Sequence, residues 1–205
     1  ILVDAGTYCY NAAPEFRHYF RGTHAHNTLV VDGQDQSEYG ASFLWLRDVN
    51  GALLEDRRNE ESQVVHASHD GYLRLVDPVV HHRRVTLESH EGSLMVEDWL
   101  ECKRPHDVEL LWHAAPGARL RRSGESWELQ TMAHWVRLAV DGAPLEHEII
   151  EGRESPPQGW VSSRFYQRSS APVLKVRARL APQQVLRTVI QRQGRSPTQP
   201  NGRLQ

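Results

Sequence analysis

The sequence predicts an all-β fold: a large antiparallel β-sandwich with one short helix near the N-terminus. Three observations predict it. Short apolar or alternating runs recur at the spacing of about 8–12 residues that sandwiches use. X-Gly dipeptides, which supply the positive φ values of hairpin turns, fall between them: Asp32-Gly33, Asn50-Gly51, Asp70-Gly71, Glu91-Gly92, Ser123-Gly124 and Asp141-Gly142. A helical run is seen once, at residues 14–20, with Pro14 at a first-turn position where its missing N–H costs nothing.

Taken in order, strands are expected at residues 1–3, 27–31, 42–47, 63–66, 79–87, 93–102, 108–113, 118–122, 126–130, 134–140, 160–166, 173–180 and 185–191. In the pair 126–130 and 134–140, Trp127, Leu129, Trp135 and Arg137 alternate with their neighbours as on a half-buried strand. At 173–180, Val173, Lys175, Arg177 and Arg179 alternate with Leu174, Val176, Ala178 and Leu180, giving one wet and one packed face. Residues 151–159, with Pro156-Pro157 and two Gly, read as a long surface loop. Strand signals continue on both sides of it, so residues 1–193 are expected to form one domain. Residues 194–205, rich in Pro, Gln, Gly and Arg, are expected to be a disordered tail.

At 205 residues the chain can bury a sizeable core without staples. A net charge of −2 and a pI near 6.7 argue against nucleic acid or an anionic membrane as the main partner. No apolar run approaches the roughly 20 residues that span a bilayer. The chain opens inside what reads as a buried strand, without Met, polar lead-in or signal peptide, so it is expected to be a piece of a longer polypeptide. Of 24 basic residues all but Lys103 and Lys175 are Arg, which reflects either base composition or recognition of carboxylate and sulfate by the planar guanidinium. Cys9 and Cys102 form no CxxC; they are one disulfide or two thiols.

The densest polar cluster lies within residues 4–28: Asp4, Tyr8, Tyr10, Asn11, Arg17, His18, Tyr19, Arg21, His24, His26 and Asn27. Tyr and His are general acids and bases, Arg neutralises anions, and Asp and His ligate zinc. His24-x-His26 on a strand would aim both rings to one face; alternatively one packs and the other bonds a neighbour. Asp4 at a strand end needs a partner, or caps the turn before Gly6. His69-Asp70-Gly71 reads as a hairpin turn. His81/Arg83 and His82/Arg84 alternate across a strand, one pair facing solvent and the other lining a groove. The six Trp read mainly as core, with sugar stacking by one or two as the alternative. No GxSxG, P-loop or GxGxxG stands in a strand-turn-helix context.

The run Leu2-Val-Asp4-Ala-Gly6-Thr-Tyr8-Cys-Tyr10-Asn11, then Arg17-x-Tyr19-x-Arg21-x-Thr23-x-Ala25-His26-Asn27-Thr28, then Asp32-Gly33-x-Asp35-Gln36, resembles the C-terminal region of heparinase II/III-like polysaccharide lyases. A later His81-x-Arg83 also looks like the family. The sharp resemblance covers about residues 1–40 and a looser one extends to about residue 90. It implies a β-sandwich that follows an α/α toroid, and β-elimination on a uronic-acid polysaccharide: a base takes the proton α to the carboxylate and an acid protonates the leaving oxygen. It implies Tyr19, then Tyr10, as catalytic candidates, with Arg17, Arg21 and His24 facing substrate. It also implies zinc on Asp4 and His26, in a site left incomplete here because the remaining family His lies upstream of residue 1. The implied partners are an anionic polysaccharide and the chain's own toroid, with neither nucleic acid nor membrane. The implied localisation is periplasmic or secreted. A non-catalytic carbohydrate-binding sandwich and a structural bracing domain are the competing readings.

Overall fold

The computed structural model describes residues 1–194 apart from 42, 48 and 91. After an irregular N-terminal segment come α1 (Pro14–Arg21) and a single 3-10 turn (Thr23–Ala25). The strands follow: β1 (Leu29–Val31), β2 (Gly51–Arg58), β3 (Ser62–Tyr72), β4 (Val79–Glu88), β5 (Ser93–Glu101), β6 (His106–His113), β7 (Arg119–Ser123) and β8 (Ser126–Gln130). Then come β9 (Trp135–Asp141), β10 (Glu146–Ile150), β11 (Arg153–Glu154), β12 (Pro157–Gln158), β13 (Trp160–Arg164), β14 (Gln167–Ser170), β15 (Val173–Leu180) and β16 (Leu186–Arg192).

Two antiparallel sheets form the sandwich. The larger runs β2-β3-β4-β5-β16-β9-β8-β7, and the smaller β1-β6-β15-β10. Their facing sides share one apolar core. Leu29, Leu110, Trp112 and Val176 come from the small sheet, and Leu100, Leu129, Leu138 and Leu186 from the large one. Period-two alternation builds this layer: Val136, Leu138 and Val140 of β9 are buried while Arg137 between them is exposed. The α1 residues Phe16, Tyr19 and Phe20 form a second, smaller cluster with Ala5, Ala25 and Trp160. No helix among the described residues is long and apolar enough to cross a membrane.

The structure departs from sequence expectation at several places. β2 and β10, each at a sheet edge, are strands that the apolar pattern did not mark. Asp70-Gly71 is no hairpin turn. It lies inside β3, at a bulge between His69 and Tyr72, and Asp70 there binds the amide of Asn50 at 2.7 Å. Residues 43–47 form no strand; a single bridge joins Tyr39 to Trp45. Residues 151–159 hold the small β11–β12 hairpin rather than a plain loop. By contrast, on β9 the expected alternation is present, with Val136, Leu138 and Val140 on the buried side and Trp135 and Arg137 on the other. Asp32-Gly33 does turn the chain after β1, with φ of 49° and 67°. Cys9 and Cys102 are both free thiols. Of the tail expected at 194–205, residues 195–205 lie outside the described residues.

Candidate active site

The motif residues converge at one corner, where β1 begins and β6 ends. The N-terminal segment joins there through a Leu2–Ala114 bridge and a bond from the Val3 amide to the His113 carbonyl at 3.0 Å. Asn27 ties the corner together. Its side-chain amide donates to the Val3 carbonyl at 2.9 Å, and its Oδ1 accepts the His113 amide at 2.7 Å. Its own carbonyl accepts Arg83 Nη1 from the large sheet.

Arg83 is held by a polar network inside the sandwich. The Asp98 carboxylate is wholly buried and accepts Arg83 Nε at 2.7 Å, Arg83 Nη2 at 3.0 Å and His81 Nε2 at 2.7 Å. Burial pushes Asp98 up, but Arg83 and His81 outweigh it and hold the group below the usual carboxylate range. The chain of bonds continues outward: His81 Nδ1 faces His69 Nε2 at 3.0 Å, and His69 Nδ1 faces the Gly71 amide at 3.3 Å. This pattern assigns each ring one proton, on Nε2. His81 and Arg83 therefore brace the corner from within the sandwich, while His82 stacks on Trp99 and Arg84 lies over the same ring.

At the corner itself Asp4 Oδ2 lies 2.6 Å from His26 Nδ1. Asp4 Oδ1 accepts the Gly6 amide at 3.0 Å, so the capping turn and the His partnership coexist. Burial raises the Asp4 pKa, yet the Gly6 amide and His26 lower it more, and the net shift is downward. Gly6 sits at φ +75° with the Ser162 carbonyl 2.3 Å from where a Cβ would be, so no side chain fits there. Beside this pair lies His113, buried, with neither ring nitrogen in a well-formed hydrogen bond and the His24 backbone as its near acceptor. Burial, and then His26, push its pKa down to about 4, so it is a neutral imidazole at pH 7. Asp4 and His26 offer an oxygen and a nitrogen suited to zinc. They do not by themselves complete a set of three donors, since among the described residues such a set occurs only elsewhere.

The remaining sequence candidates surround α1. The Tyr19 hydroxyl accepts the backbone N–H groups of Gly159 at 3.2 Å and Trp160 at 3.4 Å. Burial raises its pKa against the pull of those bonds, so the phenol keeps its proton. Tyr10 is partly exposed, with its ring 5.1 Å from Phe43 and 5.0 Å from Phe165. Arg17 lies over the Tyr10 ring at 5.0 Å and Arg21 over Tyr39 at 3.6 Å. His24 and His26 do not share one face: they sit in and just after the 3-10 turn, and His24 Nε2 turns away to Glu109 at 3.1 Å.

Glu109 belongs to a constellation that sequence reasoning missed. His24, Lys175 at 3.0 Å and Arg177 at 3.1 Å hold its carboxyl at about 2 against the opposing effect of burial. It lines a cavity of about 880 Å³ between α1, the β11–β12 hairpin and the small sheet, with Tyr19, His24, Lys175 and Arg177 also in the wall. The sequence offered one signal for Lys175, one of only two Lys in an Arg-rich chain. His113 gave none, because one His ending an apolar strand reads as core.

A family model described as "Heparinase II/III-like, C-terminal" matches residues 1–193. Solved structures share the fold. Heparan sulfate lyase HepC from Pedobacter heparinus superposes with a TM-score of 0.73 at 14% identity, over 95% of this chain and 29% of that one. A heparinase III with methylated lysines gives 0.70 at 17% identity, over 96% and 28%. Another heparinase III gives 0.72 at 14% identity, over 93% and 27%. The chain thus spans under a third of the length of these proteins. No curated protein sequence matches it.

Proposed function

Because the chain belongs to the heparinase II/III-like C-terminal family, we propose that it is the β-domain of a polysaccharide lyase acting by β-elimination on a uronic-acid polymer. The polymer is heparan sulfate-like, alginate-like or a related exopolysaccharide, met in the periplasm or outside the cell. One observation carries the reading: three sequence-distant motif pieces meet at one corner together with His113, with Asp4 on His26 and Asn27 bridging Val3, His113 and Arg83.

The chemistry needs a base for the proton α to the carboxylate, an acid for the leaving oxygen, and positive charge for the carbanion-like intermediate. Tyr19, whose phenol keeps its proton in the cavity wall, is the first candidate to give a proton, and Tyr10 is the second. Arg17 and Arg21, stacked on tyrosine rings, present guanidinium groups to carboxylate or sulfate. His24 lies in the cavity wall beside Glu109. Zinc on Asp4 and His26 would fasten the N-terminal segment to the loop after α1, its remaining ligand coming from outside this chain. The rest of the catalytic set comes from the toroid, so the isolated domain is inactive.

The exposed Tyr10–Phe43–Phe165 rings favour a second reading, a non-catalytic carbohydrate-binding module. The experiment is to incubate the full-length protein with heparan sulfate, chondroitin, alginate and hyaluronan and follow the ultraviolet absorbance of unsaturated uronate. A rise on one polymer, lost in Tyr19→Phe, supports the lyase. Polymer binding without any rise supports the module.

A further inference from the structure

We propose that Asp77, Cys102 and His106 form a zinc-class metal site, separate from the Asp4–His26 corner. The two lie at opposite ends of β6, which begins at His106 and ends at His113. At roughly 3.3 Å per residue that separation is about 23 Å. One carboxylate oxygen, one thiol sulfur and one ring nitrogen all lie within 4.8 Å of one another. His106 Nε2 is 3.1 Å from Asp77 Oδ2. Oxygen, nitrogen and sulfur donors in one group are the set that zinc takes and that magnesium and calcium do not.

The hydrogen bonding around the group supports it. His106 Nδ1 lies 2.7 Å from Asp32 Oδ2, and Asp32 Oδ1 is itself fixed by the Asp107 amide at 3.1 Å. This is the carboxylate–histidine arrangement that orients a ligating imidazole. With the ring proton on Nδ1, the Nε2 lone pair faces the Asp77 oxygen, two acceptors in contact. A proton, on the ring or on the carboxyl, or a metal ion must lie between them. The Cys102 sulfur in the same group favours the metal. Asp77 Oδ2 is also oriented by the Lys103 and Arg104 amides at 3.1 and 2.7 Å.

Access and charge fit as well. A cavity of about 500 Å³ opens beside the group, lined by Asp32, Asp77 and His106 together with Arg104 and Arg179. It leaves a fourth coordination position to water or a small anion, which the two arginines would favour. Binding forms metal–sulfur, metal–nitrogen and metal–oxygen bonds and releases the thiol proton, and any Nε2 proton, to solvent. Two anionic donors and a neutral imidazole then balance a divalent charge.

Cobalt(II) makes the test specific, because Cys102 and Cys9 are the only sulfur donors of the thiol type in the chain. The chelator-stripped 205-residue protein is titrated with Co²⁺ and read by near-ultraviolet absorbance. The site predicts a thiolate-to-cobalt charge-transfer band saturating at one ion per chain and quenched by zinc. The band persists in Cys9→Ser and in His26→Ala and is lost in Cys102→Ser. Asp32→Asn keeps the band but weakens affinity about 10- to 100-fold. Absence of the band, its survival in Cys102→Ser, or its loss in Cys9→Ser overturns the proposal. Circular dichroism of Cys102→Ser guards against misfolding, and His106→Gln, which leaves both thiols in place, must also lose the band.

Discussion

Replacing Asp98 by Asn tests how the corner is held from inside the sandwich. The substitution keeps the side-chain volume and removes the charge. The carboxylate accepts three bonds at 2.7–3.0 Å and is inaccessible to solvent, so Arg83 loses a fully buried counter-ion. Breaking a buried ion pair costs about 3–5 kcal/mol. Arg83 is 23% exposed, so water partly compensates it, and the lower end, about 3 kcal/mol, applies. For a domain of this size that is a fall of about 6–12 °C in Tm. Urea and thermal denaturation followed by circular dichroism measure it. Arg58→Ala, which breaks the exposed Arg58–Asp56 pair, serves as control and should change stability by under about 0.5 kcal/mol. A loss below about 1 kcal/mol in Asp98→Asn would refute the claim that this network braces the corner.

Other predictions follow from the same geometry. His69, pushed down to about 4 by burial and then by His81, is neutral when folded and protonates near 6.5 when unfolded. The unfolded state therefore binds more protons between these values, and stability falls as pH drops from about 6.5 to 4, by about 2 kcal/mol after allowance for partial exposure; urea midpoints at three pH values show it. His113 adds a loss of the same sign in the same window. Glu109→Gln strands the buried Lys175 ammonium and should cost about 2–4 kcal/mol, whereas pairing it with Lys175→Met should recover much of the loss in a double-mutant cycle. Gly6→Ala cannot keep φ +75° against the Ser162 carbonyl and should destabilise by about 1–3 kcal/mol, with a shifted His26 ring signal in NMR as Asp4 moves.

The parts of this fold that the sequence announces are those where burial alternates. β8 and β15 begin and end where their residue patterns say, although on β15 Val173 and Lys175, on the side expected to be wet, are buried as well. β2 and β10 are silent for the opposite reason. Both are sheet edges, and charged residues such as Glu55, Asp56, Glu146 and Glu148 occupy positions that an interior strand would fill with apolar ones. Asp70-Gly71 misleads because the same dipeptide serves a hairpin turn and a bulge, and only the pairing partner tells them apart. At the corner, the linear motif named Asp4, His26 and Asn27. It hid the brace beneath them, since the contacts of Asn27 with Arg83 and with His113 span 56 and 86 residues. Glu109 and Lys175 were equally hidden, as alternating charges on strands read as solvent-facing, whereas Lys175 is buried against Glu109 in the cavity wall.

The most direct test of the lyase reading compares the full-length protein and this 205-residue chain on the same uronate polymers, by ultraviolet absorbance of unsaturated products. The account predicts turnover by the full-length protein on one polymer, none by the isolated chain, and at least a hundredfold loss, on the order of what one acid–base group contributes, in full-length Tyr19→Phe. Steady turnover by the isolated chain, or a full-length Tyr19→Phe as active as the parent, would contradict it.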